Sequence, residues 1–357
     1  MAGRPTSAEE VAEAVRAHRQ VRVRGAGTKG RLVDGPGELL EMSGLRGIEE
    51  YEASEYTFTA RAGTPVREIE EALAEKGQYL PFDPMFAGAG ATLGGSVAAG
   101  FSGPGRFRYG GMRDFLLGVQ LVDGRGTLVR SGGKVVKNAA GFDLPKFMVG
   151  SLGRMGILTE VCFKVFPRPR RTRTLRIAAP APAAAVERLV RVAASRWEAD
   201  ALDYVPREAA LYLRLGAPGE ALDSLAAEIE AEWPGEVAVL DDEAERACWL
   251  SSREMTWANG GRRVKVPVSP SRMAALQELV DGLDGCEARF ASGGAVAWLS
   301  VAASLDALRD GLARAGLIGL LFAGPADDPL WLGKRSEPAI LADMKQALDP
   351  DGRFPAI

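Results

Sequence analysis

The chain has 357 residues, of which 46% are hydrophobic and 25% are charged, and its formal net charge at pH 7 is −3. This length exceeds one typical domain, so two domains are expected, and the hydrophobic fraction is ample for their cores. The small negative net charge argues against general nucleic-acid binding.

Apolar runs, cysteines and histidines exclude several further classes of protein. No apolar run reaches about 18 residues and no signal-peptide segment follows Met1, so the sequence predicts a cytoplasmic protein without a transmembrane segment. Cys162, Cys248 and Cys286 are far apart, which matches neither a disulfide framework nor the closely spaced thiolates of an iron–sulfur cluster. The lone histidine, His18, cannot build a multi-histidine metal site, and the glycine-rich region has no Ser-His or Cys-His pair. The sequence therefore predicts no metal site and identifies no catalytic residue.

The first predicted elements are a helix, a strand and a glycine-rich turn. Ser7 and Glu10 form a capping-box pattern, which predicts a helix that runs to about Ala17 and leads into the strand VRVRG. The next residues, GAGTKG at 25–30, formally match the dinucleotide fingerprint GxGxxG. A Rossmann fold needs a long amphipathic helix directly after these glycines, but Gly-Pro-Gly at 35–37 interrupts the segment. A phosphate-binding turn after a strand remains the open interpretation.

The segment 57–84 is predicted to form a strand, a turn, a helix and an extended exit. Thr64 is the expected helix cap, and Pro65 suits the first helical turn. Ile69, Leu73 and the alanines form the apolar stripe of this helix, which is expected to end at Gly77.

In residues 88–159, glycine-rich clusters alternate with apolar runs. The apolar runs at 115–122 and 157–166 indicate strands, and the glycines indicate tight loops in which backbone approaches a ligand closely. Main-chain N–H groups crowded in such loops form anion sites, and residues 96–100 can start a short helix over a phosphate. A Walker loop is excluded because GGK at 132–134 is followed by valine. The pattern predicts a diphosphate as the bound group.

A change of composition marks the start of a second domain. Pro167, Pro169 and the neighbouring arginines are typical of a domain boundary. One order of elements is then predicted twice: strand 172–178, helix 183–196, strands 201–205 and 210–215, helix 220–233, strand 237–240; and strand 262–266, helix 271–282, strands 288–292 and 295–301, helix 305–315, strand 317–322. Both units are β-α-β-β-α-β, a ferredoxin-like order that predicts an antiparallel sheet covered by helices on one face.

Six motifs in a fixed order resemble a known family. They are RGAGT at 24–28, PFDP at 81–84, GATLGG at 90–95, SGP at 102–104, KNAAGFDL at 137–144 and GSLGRMGILTE at 150–160. Together they resemble the FAD-binding domain of the vanillyl-alcohol oxidase type (PCMH-type). Within that superfamily they resemble the FAD-binding accessory subunits, the E-type, of glycolate oxidase (glycolate dehydrogenase). The resemblance covers about residues 20–170, and more weakly the tail DPDGRF at 349–354.

The resemblance implies an α+β fold in three parts. Residues 1–169 are expected to form a PCMH-type FAD-binding domain of two subdomains. Residues 170–330 are expected to form an antiparallel-sheet cap domain, built of the two ferredoxin-like β-α-β-β-α-β units. The C-terminal tail, 331–357, is expected to return to the FAD domain.

Carried over by position, the resemblance assigns FAD contacts to three groups of residues. The first glycine loop would wrap the pyrophosphate, the second group would complete the phosphate and ribityl contacts, and the third would line the adenine end. The residues concerned are Gly25, Ala26, Gly27, Thr28, Pro81, Thr92, Gly94, Gly95, Ser102, Gly103, Gly150, Gly153, Gly156 and Ile157. This is physically sensible, because buried phosphate charge needs many donors and little side-chain bulk.

Two departures from the resembled family matter for function. Many relatives tether flavin through a histidine in the first glycine loop, where this chain has Thr28, so the expected cofactor is non-covalent FAD. Relatives that oxidise 2-hydroxy acids carry a histidine-rich motif in the second domain, and this chain has no histidine beyond His18.

The roles of three basic residues stay open. Arg106 and Arg113 are candidates for added positive charge at the site or for simple solvent exposure. Lys137 is a candidate for stabilising negative charge on reduced flavin or for a salt bridge to Asp143.

Three functions are compatible with the sequence. The first is an FAD-binding subunit of a glycolate (2-hydroxy acid) oxidase or dehydrogenase complex, which passes electrons between a catalytic flavin subunit and an iron–sulfur subunit. The second is a self-sufficient FAD-dependent dehydrogenase of a small hydroxy acid, which would need a base other than histidine. The third is a non-redox scaffold subunit. The first implies a cytoplasmic protein that partner subunits hold at the inner face of the membrane.

Overall fold

The structure is a computed structural model that describes residues 3–133, 142–335 and 338–357. The chain divides into two compact units. The first unit comprises Met1–Ser102, Gly111–Arg168 and Ser336–Ile357, and the second comprises Gly103–Gly110 and Pro169–Arg335. The motif KNAAGFDL lies outside the described residues except for its last three positions.

The elements follow one another along the chain with short connections. Up to residue 168 they are α1 Ala8–Ala17, β1 Val21–Arg24, β2 Glu38–Glu41, β3 Ile48–Glu52, β4 Thr57–Arg61, α2 Val66–Ala74, β5 Gln78–Tyr79, α3 Leu93–Ala99, α4 Arg106–Tyr109, α5 Met112–Phe115, β6 Leu116–Val122, β7 Leu128–Gly132, α6 Leu144–Met148, β8 Ile157–Lys164 and β9 Phe166–Pro167. The remainder are β10 Arg171–Ala178, α7 Pro182–Ala193, β11 Ala201–Val205, β12 Ala210–Ala217, α8 Gly219–Glu232, β13 Val237–Val239, α9 Asp242–Glu254, β14 Arg262–Pro267, α10 Pro270–Asp281, β15 Cys286–Ala291, β16 Val296–Val301, α11 Asp306–Arg314, β17 Ile318–Ala323, β18 Trp331–Gly333 and α12 Ala339–Leu348.

The first unit is built on a five-stranded antiparallel sheet in the order β3-β4-β8-β6-β7, with a small parallel pair, β1-β2, beside it. Phe58 on β4 and Phe163 on β8 stack within its core, with ring centroids 5.8 Å apart. A second apolar cluster joins Val11 and Val15 of α1 to Phe354 near the C-terminus. The C-terminal residues thus pack into the core of the first unit.

Two helix starts in the first unit show where local sequence signals succeed and fail. Ser7 caps α1, as predicted, by accepting a hydrogen bond from the Glu10 N–H at 3.1 Å. The predicted cap of α2 is wrong, because the Thr64 hydroxyl accepts from the Gly47 N–H and donates to the Arg61 carbonyl. Hydrogen bonds with Gly47 and Arg61 therefore occupy the Thr64 hydroxyl, which the local pattern had assigned to capping the helix.

The second unit is built on a nine-stranded sheet in the order β13-β10-β12-β11-β15-β16-β14-β17-β18. Every neighbouring pair in it is antiparallel. Two runs of elements, from β10 to β13 and from β14 to β17, each have the order β-α-β-β-α-β along the chain. Apolar side chains of α7, α8, α10 and α11 form one core on a single face of this sheet.

The opposite face of the sheet carries α9, which begins at its cap Asp241. Trp249 of α9 is buried in a small cluster with Val205 and Tyr212, and its indole N–H donates to the Thr174 hydroxyl at 2.7 Å. The indole therefore has a structural role, and its polar group is satisfied.

A buried ion pair holds the two halves of the nine-stranded sheet together. Strands β11 and β15 share a single register pair, Tyr204 with Phe290. Beside it, Arg289 Nε donates to Asp203 Oδ2 at 3.1 Å, and both side chains are almost fully buried. The same carboxylate accepts from the Ser252 hydroxyl at 2.8 Å and from the Ser292 N–H at 3.2 Å. Strands β11 and β15, helix α9 and the turn after β15 thus meet at one buried ion pair, at the junction between the two halves of the sheet.

Among the described residues, no helix combines the length and the apolar character that crossing a bilayer requires.

The seam predicts a large stability effect from one substitution. Asp203→Ala leaves the buried Arg289 guanidinium without its carboxylate, so the free energy of unfolding should fall by about 3–5 kcal/mol. The matched control is Glu287→Gln, which removes a carboxylate from an exposed pair with Arg207 and should cost about 1 kcal/mol or less. Urea denaturation followed by circular dichroism measures both. A loss below about 1 kcal/mol for Asp203→Ala would show that the ion pair does not stabilise the seam.

Candidate functional site

A pocket in the first unit lies where β1, the loop after it, the start of α3 and the segment before β8 meet. Nine of the residues predicted to bind FAD line it: Gly25, Ala26, Gly27, Thr28, Thr92, Gly94, Gly95, Gly153 and Gly156. Three separate motifs of the sequence therefore converge on one cavity.

Five predicted residues do not line this pocket. Ser102 is buried, and its hydroxyl accepts a hydrogen bond from the Met112 N–H at 2.9 Å. Gly103 belongs to the second unit. The Gly150 N–H donates to the Val97 carbonyl at 3.0 Å, and Ile157 is buried in the apolar cluster around α1. Pro81 lies buried in the segment after β5. Contacts of these five residues with FAD stay predictions.

The walls of the pocket approach one another so closely that side chains would not fit. A Cβ on Gly25 would lie 2.1 Å from Thr92 Oγ1, and one on Gly94 would lie 2.6 Å from the Ala62 Cβ. Gly153 has a positive φ of 70°, and a Cβ there would meet Val23. Glycine is thus required at these positions by packing as well as by backbone conformation.

The N–H groups of α3 are already used by the protein. Those of Leu93, Gly94 and Ser96 donate to the carbonyls of Thr64, Ala62 and Thr92, at 2.8, 2.7 and 2.9 Å. The Gly95 N–H donates to Thr92 Oγ1 at 3.3 Å, which caps the helix. The helix predicted to start at 96–100 begins at Leu93 instead, and its first N–H groups have protein acceptors. Its contact with a phosphate stays a prediction.

The loop after β1 has the opposite character. Within the described residues, the N–H groups of Gly25, Ala26, Gly27 and Thr28 donate no hydrogen bond to another protein atom. All four residues line the pocket. Four successive unengaged donors at a concave surface form an anion site, so the residues present fit a diphosphate.

Lys29 is a lining residue that the sequence analysis did not single out. It directly follows the loop, and its side chain is only 7% exposed. Its Nζ donates to Thr28 Oγ1 at 3.0 Å and lies 5.2 and 5.8 Å from the ring centroids of Phe86 and Phe101. The lysine was visible within GAGTKG, but only the fold shows that it points into the interior.

Two other basic candidates, Arg106 and Arg113, are not among the residues that line this pocket. Arg113 is exposed, and Arg106 belongs to α4 in the second unit. Lys137 lies outside the described residues. Asp143, its suggested partner, accepts from the Lys146 N–H at 3.2 Å, and its carboxylate lies 3.4 Å from the Lys146 ammonium. Both suggested roles of Lys137 stay predictions.

A second lysine with altered chemistry lies in the other unit. Burial, and after it the charge of Arg106, lowers the pKa of Lys265 to about 8. Lys265 is on β14, and its Nζ lies 5.8 Å from the ring centroid of Trp298 on β16. A lysine with such a pKa can accept a proton near neutral pH.

Comparison with known proteins agrees with the chemistry of the pocket. Residues 2–132 match the family model described as "FAD binding domain". The chain is 44% identical over 171 residues to the glycolate oxidase subunit GlcE of Escherichia coli (strain K12), covering 47% of this chain and 48% of that protein. It is 33% identical over 155 residues to the glycolate oxidase subunit GlcD of Bacillus subtilis (strain 168), covering 43% of this chain and 33% of that protein. The chain therefore spans half or less of the length of these relatives.

Solved structures of alkyldihydroxyacetonephosphate synthase share the fold. The alignment with one of them has a TM-score of 0.69 at 17% identity, and it covers 98% of this chain and 74% of that chain. At this identity the likeness concerns the fold alone.

Crowding at the loop predicts that Gly25→Ala weakens FAD binding. The added Cβ collides with Thr92 Oγ1, which also caps α3, so the loop must shift and the dissociation constant should rise about tenfold or more. Gly30→Ala is the matched control, since a Cβ there meets no atom within 4 Å. Quenching of FAD fluorescence measures both, with circular dichroism as a check on folding. Equal affinities for the two variants would contradict this account of the loop.

Proposed function

We propose that the chain is the FAD-binding subunit of a glycolate (2-hydroxy acid) oxidase or dehydrogenase complex, since residues 2–132 match the family model described as "FAD binding domain". The observation that carries the proposal is the set of four unengaged N–H groups at 25–28, in a pocket lined by glycines from three motifs. The choice of glycolate rests on the similarity to GlcE and GlcD, both named as glycolate oxidase subunits.

In this proposal the chain holds and orients FAD. Gly25, Ala26, Gly27 and Thr28 would donate their N–H groups to the pyrophosphate, and Thr92, Gly94 and Gly95 would form the facing wall. Gly153 and Gly156 would close the remaining side of the pocket with main-chain atoms. When bound, FAD supplies the capacity to accept and pass on electrons through its ring system, while the protein supplies position and electrostatics.

The proposed domain organisation follows the same logic. Residues 1–169 would be the PCMH-type FAD-binding domain, residues 170–330 the cap domain, and 331–357 the tail that returns to the first. The packing of Phe354 with Val11 and Val15 supports the last assignment. The hydrogen bonds of Arg353 to the Val15 and His18 carbonyls, at 2.9 and 2.8 Å, support it as well.

The proposed partners are a catalytic flavin subunit and an iron–sulfur subunit. FAD in this chain would relay electrons from the first towards the second. A chain of this kind would work in the cytoplasm, held by its partners at the inner face of the membrane. Support comes from the names of the relatives, which describe them as subunits.

One observation favours a second candidate function, a self-sufficient FAD-dependent dehydrogenase of a small hydroxy acid. Such an enzyme needs a base for the hydroxyl proton. Lys265, with its pKa lowered to about 8 by burial and by Arg106, is a candidate. The third candidate, a non-redox scaffold, is favoured by no specific contact.

Non-covalent attachment is directly testable. The residue in the first loop is Thr28, and no histidine, cysteine or tyrosine is among the residues that line the pocket in the described structure. Precipitation of the yellow protein with acid should therefore release all flavin into the supernatant as FAD. Flavin fluorescence that stays with the polypeptide on a denaturing gel would contradict non-covalent binding.

Anaerobic reduction separates the three functions. The isolated chain should purify with FAD and should not be bleached by glycolate or D-lactate, whereas the chain co-expressed with both partner subunits should oxidise glycolate. Bleaching of the isolated chain, at a rate that rises with pH through about 8 as Lys265 loses its proton and that Lys265→Met abolishes, would instead establish the dehydrogenase. Flavin-free protein that still assembles with its partners would establish the scaffold.

A further inference from the structure

We propose that the second unit carries a binding site for a small zwitterion, an α-amino acid, in a cavity beside the C-terminal end of α9. The turn after β11, strand β15 and the segment that follows α9 line this cavity. All of these residues belong to the second unit, so the inference does not depend on the FAD site of the first unit.

The first argument is the set of hydrogen-bond donors that Arg289 offers to this cavity. Its side chain is 6% exposed, and its Nε donates to Asp203 Oδ2 at 3.1 Å. Within the described residues, Nη1 donates to no protein atom, and the one contact of Nη2 is with Cys248 Sγ, at 3.8 Å. These two groups form a fork that matches the two oxygens of a carboxylate. Because Asp203 holds the guanidinium group in place, the fork is oriented before a ligand arrives.

The second argument is a carboxylate at the same cavity. Glu208 lines the cavity and is exposed. Its Oε2 accepts a hydrogen bond from the Tyr212 hydroxyl, and in the described part of the chain its Oε1 accepts none. Burial raises the pKa of Cys248 to about 11, and the charge of Glu208 adds to that rise. The Glu208 carboxylate is therefore close enough to act on the thiol that Arg289 contacts.

Charge balance favours a zwitterion over a simple anion. Arg289 is paired with Asp203, and Arg207, which also lines the cavity, is paired with Glu287 at 2.9 Å. Of the carboxylates named here, Glu208 is the one without a basic partner in the described structure. A bare carboxylate would bring a second negative charge close to Glu208, which is unfavourable. A ligand that carries an ammonium group beside its carboxylate avoids this cost, because the ammonium group can pair with Glu208.

The third argument is the apolar part of the lining. The indole ring of Trp257 and the side chain of Val205 are on the cavity wall. An indole ring offers a large apolar surface, and small-molecule sites combine such a surface with a few placed polar groups. The fork, the carboxylate and the apolar wall correspond to the carboxylate, the ammonium group and the side chain of an amino acid.

Isothermal titration calorimetry of the full-length protein with glycine, L-alanine and L-leucine is the direct test. The N-acetyl derivative of each amino acid lacks the ammonium charge, and the amide of each lacks the carboxylate charge, while the side chain is unchanged. At least one amino acid should bind, with one ligand per chain. Both of its derivatives should bind about tenfold or more weakly.

Two variants separate the two charged contacts. Arg289→Lys keeps a buried positive charge beside Asp203 but lacks the fork, and Glu208→Gln removes the negative charge. Each should weaken amino-acid binding about tenfold or more. The matched control is Glu232→Gln, which removes an exposed carboxylate paired with Arg191 on the same unit and should bind like the parent. Thermal melts report whether each variant is folded, and the exposed position of Glu208 keeps the test valid should Arg289→Lys fail to fold.

The other outcomes overturn the proposal in distinct ways. If none of the three amino acids binds at millimolar concentration, the cavity is not an amino-acid site. If an N-acetyl derivative binds as tightly as its parent amino acid, the cavity is a simple anion site. If an amide does so, the cavity is a cation site. Binding like that of the parent in folded Arg289→Lys and Glu208→Gln would place the ligand elsewhere on the protein.

Discussion

The close approach of three backbone segments around Thr92 is the constraint on which the site depends. Gly25 lies so near the Thr92 hydroxyl, and Gly94 so near Ala62, that a methyl group at either position would collide with its neighbour. The same hydroxyl accepts from the Gly95 N–H and fixes the start of α3. One threonine thus fixes the start of the helix and restricts position 25 to glycine, while Ala62 restricts position 94.

The main-chain N–H groups around the pocket fall into two classes, those that donate hydrogen bonds within the protein and those that do not. The first-turn N–H groups of α3 hold the walls together, because they donate to Thr64, Ala62 and Thr92. In the described part of the chain, the N–H groups of residues 25–28 donate to no protein atom, and the Lys29 ammonium contacts the Thr28 hydroxyl beside them. A rigid wall facing a donor-rich loop suits a ligand that is anionic and elongated, and an adenine-containing flavin has that shape and charge.

Local sequence signals predicted where several helices lie. They predicted less well which hydroxyl and N–H groups of those helices form hydrogen bonds within the protein and which remain for a ligand. The Ser7 cap and the helix predicted at 271–282, observed at Pro270–Asp281, depend on neighbours in sequence and were found within a residue. Thr64 and the N–H groups of α3 form hydrogen bonds with residues distant in sequence, and no local pattern reports those contacts. The burial of Lys29 and the Asp203–Arg289 seam likewise depend on tertiary packing. The glycine motifs located the pocket because close backbone approach restricts residue type directly.

Residue-resolved amide hydrogen exchange, measured with and without FAD, tests the central claim most directly. Unengaged N–H groups exchange rapidly, and those that bind a ligand become protected. The account predicts strong FAD-dependent protection of Gly25, Ala26, Gly27 and Thr28. The N–H groups of Gly94 and Ser96 in α3 already have protein acceptors, and they should be protected in both states. Saturating FAD that leaves exchange at 25–28 unchanged would contradict the claim that this loop holds the cofactor.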